Sequence, residues 1–152
     1  MIILGILIVV AVAFVDQLLK IVAKKKYKDN DKYILSGHIM FTYLENEGAM
    51  LGIFSKKKVI VYIASIVAII LAIIFIFIPL YLYQDFHFTH VFTSVFLGGA
   101  IGNFIDRIIR GYVIDYLSIR IKKFRSAVFN LADLCIFIGV IGILVGVIVY
   151  GI

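Results

Sequence analysis

The fold of this chain is decided by residues 98–133, which read GGAIGNFIDRIIRGYVIDYLSIRIKKFRSAVFNLAD. Polar and charged residues lie here against or close to long apolar segments: Asn103, Asp106, Arg107, Asp115, Asn130 and Asp133. An ionisable side chain at membrane depth costs about 2.5–3.5 kcal/mol on an insertion scale, so it is rarely found there without a role. Asp115 and Asp133 lie near the ends of two different apolar segments, which makes them a candidate carboxylate pair.

The composition indicates an integral membrane protein. The chain has 152 residues, of which 64% are hydrophobic, whereas soluble domains have about 45–50% apolar residues. We therefore expect one membrane domain covering residues 1–152. The net charge of +6 indicates contacts with membrane lipids rather than with nucleic acid. The single cysteine, Cys135, excludes an internal disulfide and a cysteine-based zinc site.

Four apolar segments are long enough to form membrane helices: residues 1–23, 59–83, 91–110 and 134–152. The first segment contains Asp16 and Lys20, which are four residues apart and share a helix face. Ala11-Val12-Ala13 resembles a signal-peptide cleavage site, but the absence of a preceding basic region favours a retained helix. Alternation of four spans places the polar connections 24–58 and 111–130 on one side of the membrane, together with the two candidate carboxylates.

Short strands are predicted within these polar connections. Residues 39–44 and 112–117 have the alternating pattern of strands. Asn46 and Gly48 follow the first strand, where Asn46 belongs either to a hairpin turn or to a surface that binds a peptide. The predicted fold class is therefore an all-α membrane protein of four transmembrane helices with a small β element.

Small and polar residues mark the packing faces of the third apolar segment. Gly98 and Gly102 have the spacing that permits close helix approach, and we expect them to bring the third and fourth spans together. Asn103, Asp106 and Arg107 stand at i, i+3 and i+4 and so line one face. These three residues either neutralise one another in the bundle or act in the site directly.

Other interpretations of polar residues stay open. Asn130 or Asp133 suits the N-terminal cap of the fourth helix. Asp85, His87 and His90 are candidate metal ligands, but no cysteine or second carboxylate lies near them. We therefore expect no metal site and no cofactor.

A pair of carboxylates supports a defined peptide chemistry. When two lie a few ångströms apart their titrations couple, and one keeps a proton near neutral pH. The ionised member takes a proton from an attacking water, while the protonated member donates to the peptide carbonyl, as in aspartic proteases. The amide side chains of Asn103 and Asn130 would orient the carboxylates or hold the substrate backbone.

Five blocks of sequence resemble the lipoprotein signal peptidases, the type II signal peptidases of bacteria. They are Asp16-Gln17-x-x-Lys20, Asn46-x-Gly48-Ala49, Gly98-Gly99-Ala100-Ile101-Gly102-Asn103-x-x-Asp106-Arg107, Gly111-x-Val113-x-Asp115-Tyr116 and Phe129-Asn130-x-Ala132-Asp133. The blocks extend from the first span to the fourth. The chain departs mildly from the family at Tyr116, where phenylalanine is usual.

The resemblance implies a monomeric aspartic endopeptidase of the bacterial cytoplasmic (inner) membrane, with four helices and a β-cradle on the outer face. It implies removal of the signal peptide from diacylglyceryl-modified prolipoproteins, by a cut before the lipidated cysteine. Asp115 and Asp133 match the catalytic dyad, and Asp106 matches a structural position. Residues that match positions supporting the site or binding substrate are Asp16, Lys20, Asn46, Gly48, Asn103, Arg107 and Asn130.

Charge distribution and family resemblance disagree about orientation. All 15 lysines and arginines fall on the side of the two carboxylates, and the positive-inside rule places that side in the cytoplasm. The family places it outside, and we expect the family's orientation. The alternative function is a small four-helix transport or channel subunit with Asp16, Lys20, Asp106 and Arg107 along a polar path, but the gathering of polar groups at one end favours a site.

Overall fold

The computed structural model describes residues 2–48, 58–83 and 88–150. Within them, the helices are α1 (Ile2–Tyr27), α2 (Lys58–Tyr83), α3 (Phe88–Arg110) and α4 (Leu131–Tyr150). The strands are β1 (Lys32–Ile34), β2 (Ile39–Asn46), β3 (Val113–Ile121) and β4 (Phe124–Arg125). Ala49 of the second sequence block and the candidate ligands Asp85 and His87 lie outside the described residues.

Each predicted apolar segment is helical in the part that the structure describes. Among the described residues, α1, α3 and α4 are long and apolar enough to cross a membrane. Helix α2 contains a shorter apolar stretch, Val59–Ile74. The protein is therefore a mostly helical membrane protein with at least three candidate spans. Helix α4 begins at Leu131, three residues before the apolar run from residue 134, because Asn130 caps it.

Helix α3 is the centre of the bundle and packs against α1, α2 and α4. The interior combines small apolar residues such as Ala13, Ala100 and Ala132 with buried polar groups. Large aliphatic and aromatic side chains face outward along α1 and α4. Small and polar contacts between helices with an apolar exterior are typical of membrane proteins, since lipid tails are as apolar as leucine.

Different glycines of α3 allow close contact with α1 and with α4. A Cβ atom at Gly98 would lie 2.7 Å from the Cβ of Val12, and one at Gly102 would lie 2.7 Å from Oδ2 of Asp16. Both glycines therefore admit α1: the predicted close approach of another helix is confirmed, but the helix that approaches Gly98 and Gly102 is α1 and not α4. Helix periodicity explains the difference, because residues four apart share a single face.

The close approach of α3 to α4 depends on other glycines. A Cβ atom at Gly99 would lie 2.5 Å from the carbonyl oxygen of Ala132. On α4, a Cβ atom at Gly142 would overlap the ring of Phe92. The contact at Gly99 matters most for the site, since it fixes the first turn of α4 against α3.

The four strands form an antiparallel sheet in the order β1-β2-β3-β4. The two predicted strands are confirmed as β2 and β3, and both extend beyond their predicted ends. The sheet is tied to the bundle where Tyr27 at the end of α1 stacks on Phe41 of β2, with ring centroids 5.5 Å apart. The short strands β1 and β4 have no alternating pattern of their own and form by pairing with their longer neighbours.

The connection from α3 through β3 to α4 brings distant sequence blocks together. Gly111 ends α3 with a positive φ of 80°, and its N–H donates to the carbonyl of Arg107 at 3.1 Å, a common helix termination. After β3 and β4, the backbone of Phe129 pairs with that of Leu117. Asn130 and the start of α4 therefore lie directly beside β3.

Candidate active site

Asp115 lies on β3, and its buried carboxylate contacts two asparagine side chains. It lies opposite Leu44 on β2, so Asn46, two residues further along, is its diagonal neighbour on the same face. The amide of Asn46 donates to Oδ2 of Asp115 at 2.9 Å, and the amide of Asn130 donates to Oδ1 at 2.7 Å. Both carboxylate oxygens therefore have a fixed donor.

Asp133 stands in the first turn of α4, where the unpaired backbone N–H groups favour a negative charge. Its backbone N–H donates to Oδ1 of Asn130 at 2.8 Å, and the backbone N–H of Asn130 donates back to Oδ2 of Asp133 at 3.3 Å. This reciprocal pair is a capping box. The prediction that these residues cap the fourth helix is therefore confirmed, and the cap fixes the direction of the Asp133 carboxylate.

Two amide side chains connect the carboxylates. The amide of Asn103 donates to Oδ1 of Asp133 at 2.8 Å. The amide of Asn130, which contacts Asp115, also donates to the side-chain oxygen Oδ1 of Asn103 at 3.2 Å. Asp115 and Asp133, which are 18 positions apart in sequence, thus belong to one hydrogen-bond network.

The first two backbone N–H groups of α4 have partners from other parts of the chain. The N–H of Leu131 donates to the hydroxyl of Tyr116 at 3.1 Å, and the N–H of Ala132 donates to Oδ1 of Asp16 at 3.0 Å. A helix start otherwise leaves its first N–H groups unpaired. Asp16 and Tyr116 therefore anchor the turn that carries Asp133. No pattern in the sequence indicated this role for Tyr116.

Lys20 is the buried cation of the site. Its ammonium group lies 2.7 Å from Oδ2 of Asp16 and 2.9 Å from Oδ2 of Asp106, and all three side chains are fully buried. The same ammonium donates to the side-chain oxygen Oδ1 of Asn103 at 2.9 Å. Because a lysine can only donate, it forces the NH₂ end of the Asn103 side chain to face Asp133.

Asp106 does not pair with Arg107, so the predicted self-contained network of Asn103, Asp106 and Arg107 is wrong. Besides Lys20, Asp106 contacts Arg110 one turn later and accepts the backbone N–H of Ile114 at 3.1 Å. That last bond fixes the residue before Asp115. The i, i+4 spacing to Arg110 was the sequence signal for this ion pair.

Gln17 also contacts the buried ion pairs, although in the sequence it stood out only as part of the first family block. Its amide donates to Oδ1 of Asp106 at 3.1 Å and to the carbonyl of Gly102 at 3.0 Å, while its oxygen accepts from Arg110 at 3.0 Å. Gln17 therefore joins α1 to α3 next to the buried ion pairs. It lies beside Asp16 in sequence, but no pattern distinguished its side chain from a lipid-facing one.

Arg107 reaches the loop that follows β2. Its guanidinium donates to the carbonyl of Gly48 at 3.2 Å. The N–H of Gly48 in turn donates to Oδ1 of Asn46 at 3.0 Å. Asn46 therefore faces the carboxylate and its own turn, and it supports Asp115 rather than an external peptide in this arrangement.

The ionisation of Asp115 is shifted by its surroundings. Burial raises the pKa of Asp115 to about 6, and the nearby charge of Asp133 acts in the same direction. The hydrogen bonds from Asn46 and Asn130 and the charge of Lys20 lower this pKa and so offset part of the rise. A buried carboxyl that titrates near 6 beside a second carboxylate suits proton transfer at neutral pH.

Within residues 2–48, 58–83 and 88–150 no group of three or more histidine, cysteine or acidic side chains is arranged to hold a metal ion. Of the three candidate ligands in the short connection, His90 is described, and it is buried in α3. Carboxyl groups such as those of Asp115 and Asp133 are able to act as general acids and bases.

Comparison with protein families gives a match over nearly the whole chain. The family described as "Signal peptidase (SPase) II" matches residues 8–149. A lipoprotein signal peptidase from Caldicellulosiruptor bescii is 36% identical over 135 residues, which cover 89% of this chain and 84% of the relative. One from Lactobacillus johnsonii is 38% identical over 140 residues, covering 91% and 85%. One from Staphylococcus aureus is 35% identical over 142 residues, covering 93% and 85%.

Two solved structures have a similar fold. Both are described as a bacterial membrane enzyme, one at 2.3 Å and one at 1.9 Å resolution. The first has a TM-score of 0.83 and 32% identity, with 95% of this chain and 87% of that chain covered. The second has a TM-score of 0.80 and 32% identity, with 95% and 92% covered.

Proposed function

This chain belongs to the signal peptidase II family of proteases, and we propose that it removes signal peptides from diacylglyceryl-modified prolipoproteins by an aspartic mechanism. The cut falls before the lipidated cysteine. Asp115 and Asp133 are the catalytic pair. The observation that carries this proposal is the amide bridge of Asn103 and Asn130, which holds two carboxylates from different elements in one network.

The two carboxylates have complementary tasks in the proposed reaction. Asp115, whose pKa burial and Asp133 raise to about 6, holds the shared proton and donates it to the oxygen of the peptide carbonyl. Asp133 accepts a proton from water as the water oxygen bonds to the carbonyl carbon. The resulting tetrahedral diol then loses its amine: Asp133 returns its proton to the leaving nitrogen, and Asp115 recovers a proton from a hydroxyl of the diol.

The other predicted residues support this pair without taking part in bond making. Lys20 orients the Asn103 amide, Asp16 anchors the first turn of α4, and Asp106 anchors the backbone before Asp115. Arg107 holds the Gly48 loop, which lies against Asn46. We assign these residues to positioning, because Lys20 forms ion pairs with Asp16 and Asp106, and Arg107 donates to backbone carbonyls.

We propose that α2 is a fourth span and that the sheet lies on the outer face of the bacterial cytoplasmic membrane. An apolar stretch in α2 and its packing against the central helix α3 support the fourth span. In this arrangement the protein acts as a monomer, and the substrate's lipid tails stay in the bilayer while its cleavage site meets the carboxylates. The buried charges form a paired cluster beside the carboxylates, which favours a site over the polar path that a channel would need.

Mass spectrometry of the reaction products tests this function. The purified protein is incubated with a diacylglyceryl-modified prolipoprotein and with the same precursor lacking the lipid. We expect one cut, before the modified cysteine, in the lipidated precursor only. Equal cleavage of both precursors, or a cut elsewhere, would contradict the proposed substrate and site.

A further inference from the structure

A cavity of about 210 Å³ lies at the end of the sheet that faces away from the two carboxylates. It is lined by Ser36, Gly37, His38, Arg120 and Lys122. The turn between β1 and β2 forms one wall, and the end of β3 forms the other. The N–H of Arg120 donates to the carbonyl of His38 at 2.7 Å, which holds the walls together.

The lining is built from unusual backbone. Three of its five residues have positive φ: Ser36 at 54°, Gly37 at 84° and Lys122 at 54°. Left-handed conformations are unfavourable for residues with a Cβ and are concentrated at functional sites. Two separate turns therefore adopt an unfavourable conformation to shape one cavity.

The polar groups of the cavity suit an anion. Arg120 and Lys122 are exposed, as is His38, and none of the lining residues is acidic. The ring nitrogen Nδ1 of His38 donates to the carbonyl oxygen of Leu35 at 2.7 Å, which fixes the ring against the turn between β1 and β2 and leaves Arg120 and Lys122 as the cationic donors of the cavity. Arginine, lysine and a serine hydroxyl are the side chains that commonly bind phosphate oxygens.

Exposed apolar side chains surround the same end of the sheet. Leu35 is 67% exposed, Ile121 is 64% exposed and Phe124 is 72% exposed. Cations next to large apolar side chains are the pattern of protein surfaces that enter the interface of an anionic membrane. The occupant is therefore expected to come from the membrane surface.

The cavity is separate from the candidate active site. Along β3, Arg120 is five residues beyond Asp115, which corresponds to about 16 Å at the rise of a strand. The register of β2 with β3 places Asn46 at one end of the paired strands and Ile39 at the other. A ligand in the cavity would thus fix the sheet on the membrane without touching the carboxylates.

We propose that this cavity binds the phosphate group of an anionic phospholipid headgroup, with Arg120 and Lys122 as its ligands and Leu35, Ile121 and Phe124 in the membrane interface. A lipid bound in this cavity holds the Ile39 end of the paired strands on the bilayer surface, so that the end carrying Asn46 stays over α3 and α4. The inference does not depend on the proposed peptidase chemistry.

Native mass spectrometry of the full chain in a neutral detergent measures this binding directly. Short-chain phosphatidylglycerol and phosphatidylcholine are titrated separately, and millimolar inorganic phosphate is added as a competitor. We expect phosphatidylglycerol to bind at least about tenfold more tightly than phosphatidylcholine, from the contribution of two basic residues near an anionic group. If inorganic phosphate displaces phosphatidylglycerol, the cavity recognises the phosphate group itself. If the lipid stays bound, the glycerol headgroup and the acyl chains also contribute to binding. Both results support an anion site in this cavity.

The double variant Arg120→Gln/Lys122→Asn tests the assigned residues. Asparagine tolerates the positive φ at residue 122, and both side chains are exposed, so folding is expected to be retained, as circular dichroism checks. The matched control is Lys25→Gln/Lys26→Gln, which removes the same charge from the exposed end of α1. The cavity variant should lose the preference for phosphatidylglycerol while the control keeps it. Equal losses in both variants, or no preference in the unaltered protein, would overturn the proposal.

Discussion

At the scale of single residues, the candidate site depends on which group each amide faces. Asn46 donates one hydrogen bond to Asp115 and accepts one from Gly48. Asn103 is oriented by Lys20 and donates to Asp133. Because each amide has a fixed donor end, each carboxylate is held in one direction before any substrate arrives.

Replacing Asn46 by alanine should move the pH dependence of cleavage. Burial and the charge of Asp133 raise the pKa of Asp115, and the hydrogen bond from Asn46 offsets part of that rise. Its loss therefore raises that pKa, by about one unit for a hydrogen bond to a charged group. In the proposed mechanism cleavage requires one proton on the pair, so the alkaline limb of kcat/KM, expected near pH 6 in the free protein, should shift to higher pH.

A pH–rate profile with a lipidated precursor measures this shift. Asn30→Ala is the matched control, because Asn30 is exposed in the connection between α1 and β1. An alkaline limb that stays in place in Asn46→Ala would show that Asn46 does not act on the ionisation of Asp115.

Replacing Lys20 by methionine should strongly destabilise the protein. The substitution leaves Asp16 and Asp106 buried without their shared cation. Removing one partner of a buried ion pair typically costs about 3–5 kcal/mol. The thermal midpoint in detergent should fall well below that of the unaltered protein, while Lys28→Met, at an exposed position, should leave it nearly unchanged.

The double variant Asp16→Asn/Lys20→Met distinguishes charge from packing. Removing the Asp16 charge together with Lys20 should recover part of the lost stability, since one fewer buried charge is left alone. A double variant as unstable as the sum of its single variants would indicate that the ion pair contributes nothing specific.

At the scale of elements, the start of α4 is the most constrained part of the site. Its first three backbone N–H groups are accepted by Tyr116, Asp16 and Asn130. These three acceptors come from β3, from α1 and from the residue that caps the helix. The position of Asp133 therefore depends on contacts from three parts of the fold.

Replacing Tyr116 by phenylalanine should loosen this turn. The variant removes only the hydroxyl that accepts the N–H of Leu131, at a cost of about 1 kcal/mol. We expect a small fall in thermal midpoint and a reduced kcat, with the fold retained. Tyr33→Phe is the control, since Tyr33 is exposed on the edge strand β1. Identical behaviour of the two variants would show that the hydroxyl of Tyr116 does not support α4.

The elements themselves could largely be predicted from the sequence, whereas their contacts could not. Long apolar runs identify the helices, and alternation identifies β2 and β3, because these patterns depend on local periodicity. The direction of Gly98 and Gly102 toward α1 depends on how the bundle closes, which local pattern does not contain. The same holds for the partners of Asp106, where the structure selects Lys20 and Arg110 over the adjacent Arg107.

The blocks that resemble the family contain residues that the structure joins in one hydrogen-bond network, but the blocks do not show which group each residue contacts. Asp16, Lys20 and Asp106 belong to one buried cluster only because α1 and α3 meet at Gly102. Tyr116 differs from the usual phenylalanine by one hydroxyl, and only the three-dimensional contact shows what that hydroxyl accepts. The short strands β1 and β4 escaped prediction because pairing, rather than their own sequence, forms them.

At the scale of the whole molecule, orientation in the membrane is decided by the side on which the sheet lies. Lysine and arginine lie at the sheet and at its end of the helices. The positive-inside rule alone would place them in the cytoplasm. Substrate chemistry favours the opposite orientation, since the proposed cut falls on the outer side of the signal peptide.

Labelling of a single cysteine in intact cells measures the orientation. In a Cys135→Ala background, Lys123→Cys places a thiol at the exposed turn between β3 and β4. We expect a membrane-impermeant maleimide to label it without permeabilisation. Four spans place both chain ends on the opposite side, so a tag at residue 152 should be protected in the same cells. Labelling of Lys123→Cys only after permeabilisation would reverse the proposed orientation.

The central claim is that Asp115 and Asp133 together perform the cleavage. The most direct measurement is the rate of processing of a diacylglyceryl prolipoprotein by Asp115→Asn and Asp133→Asn, with Asp31→Asn, at an exposed position, as the matched control. We predict that each dyad variant accumulates in the membrane and loses detectable cleavage, while the control cleaves at the normal rate. Normal processing by either dyad variant would contradict the account.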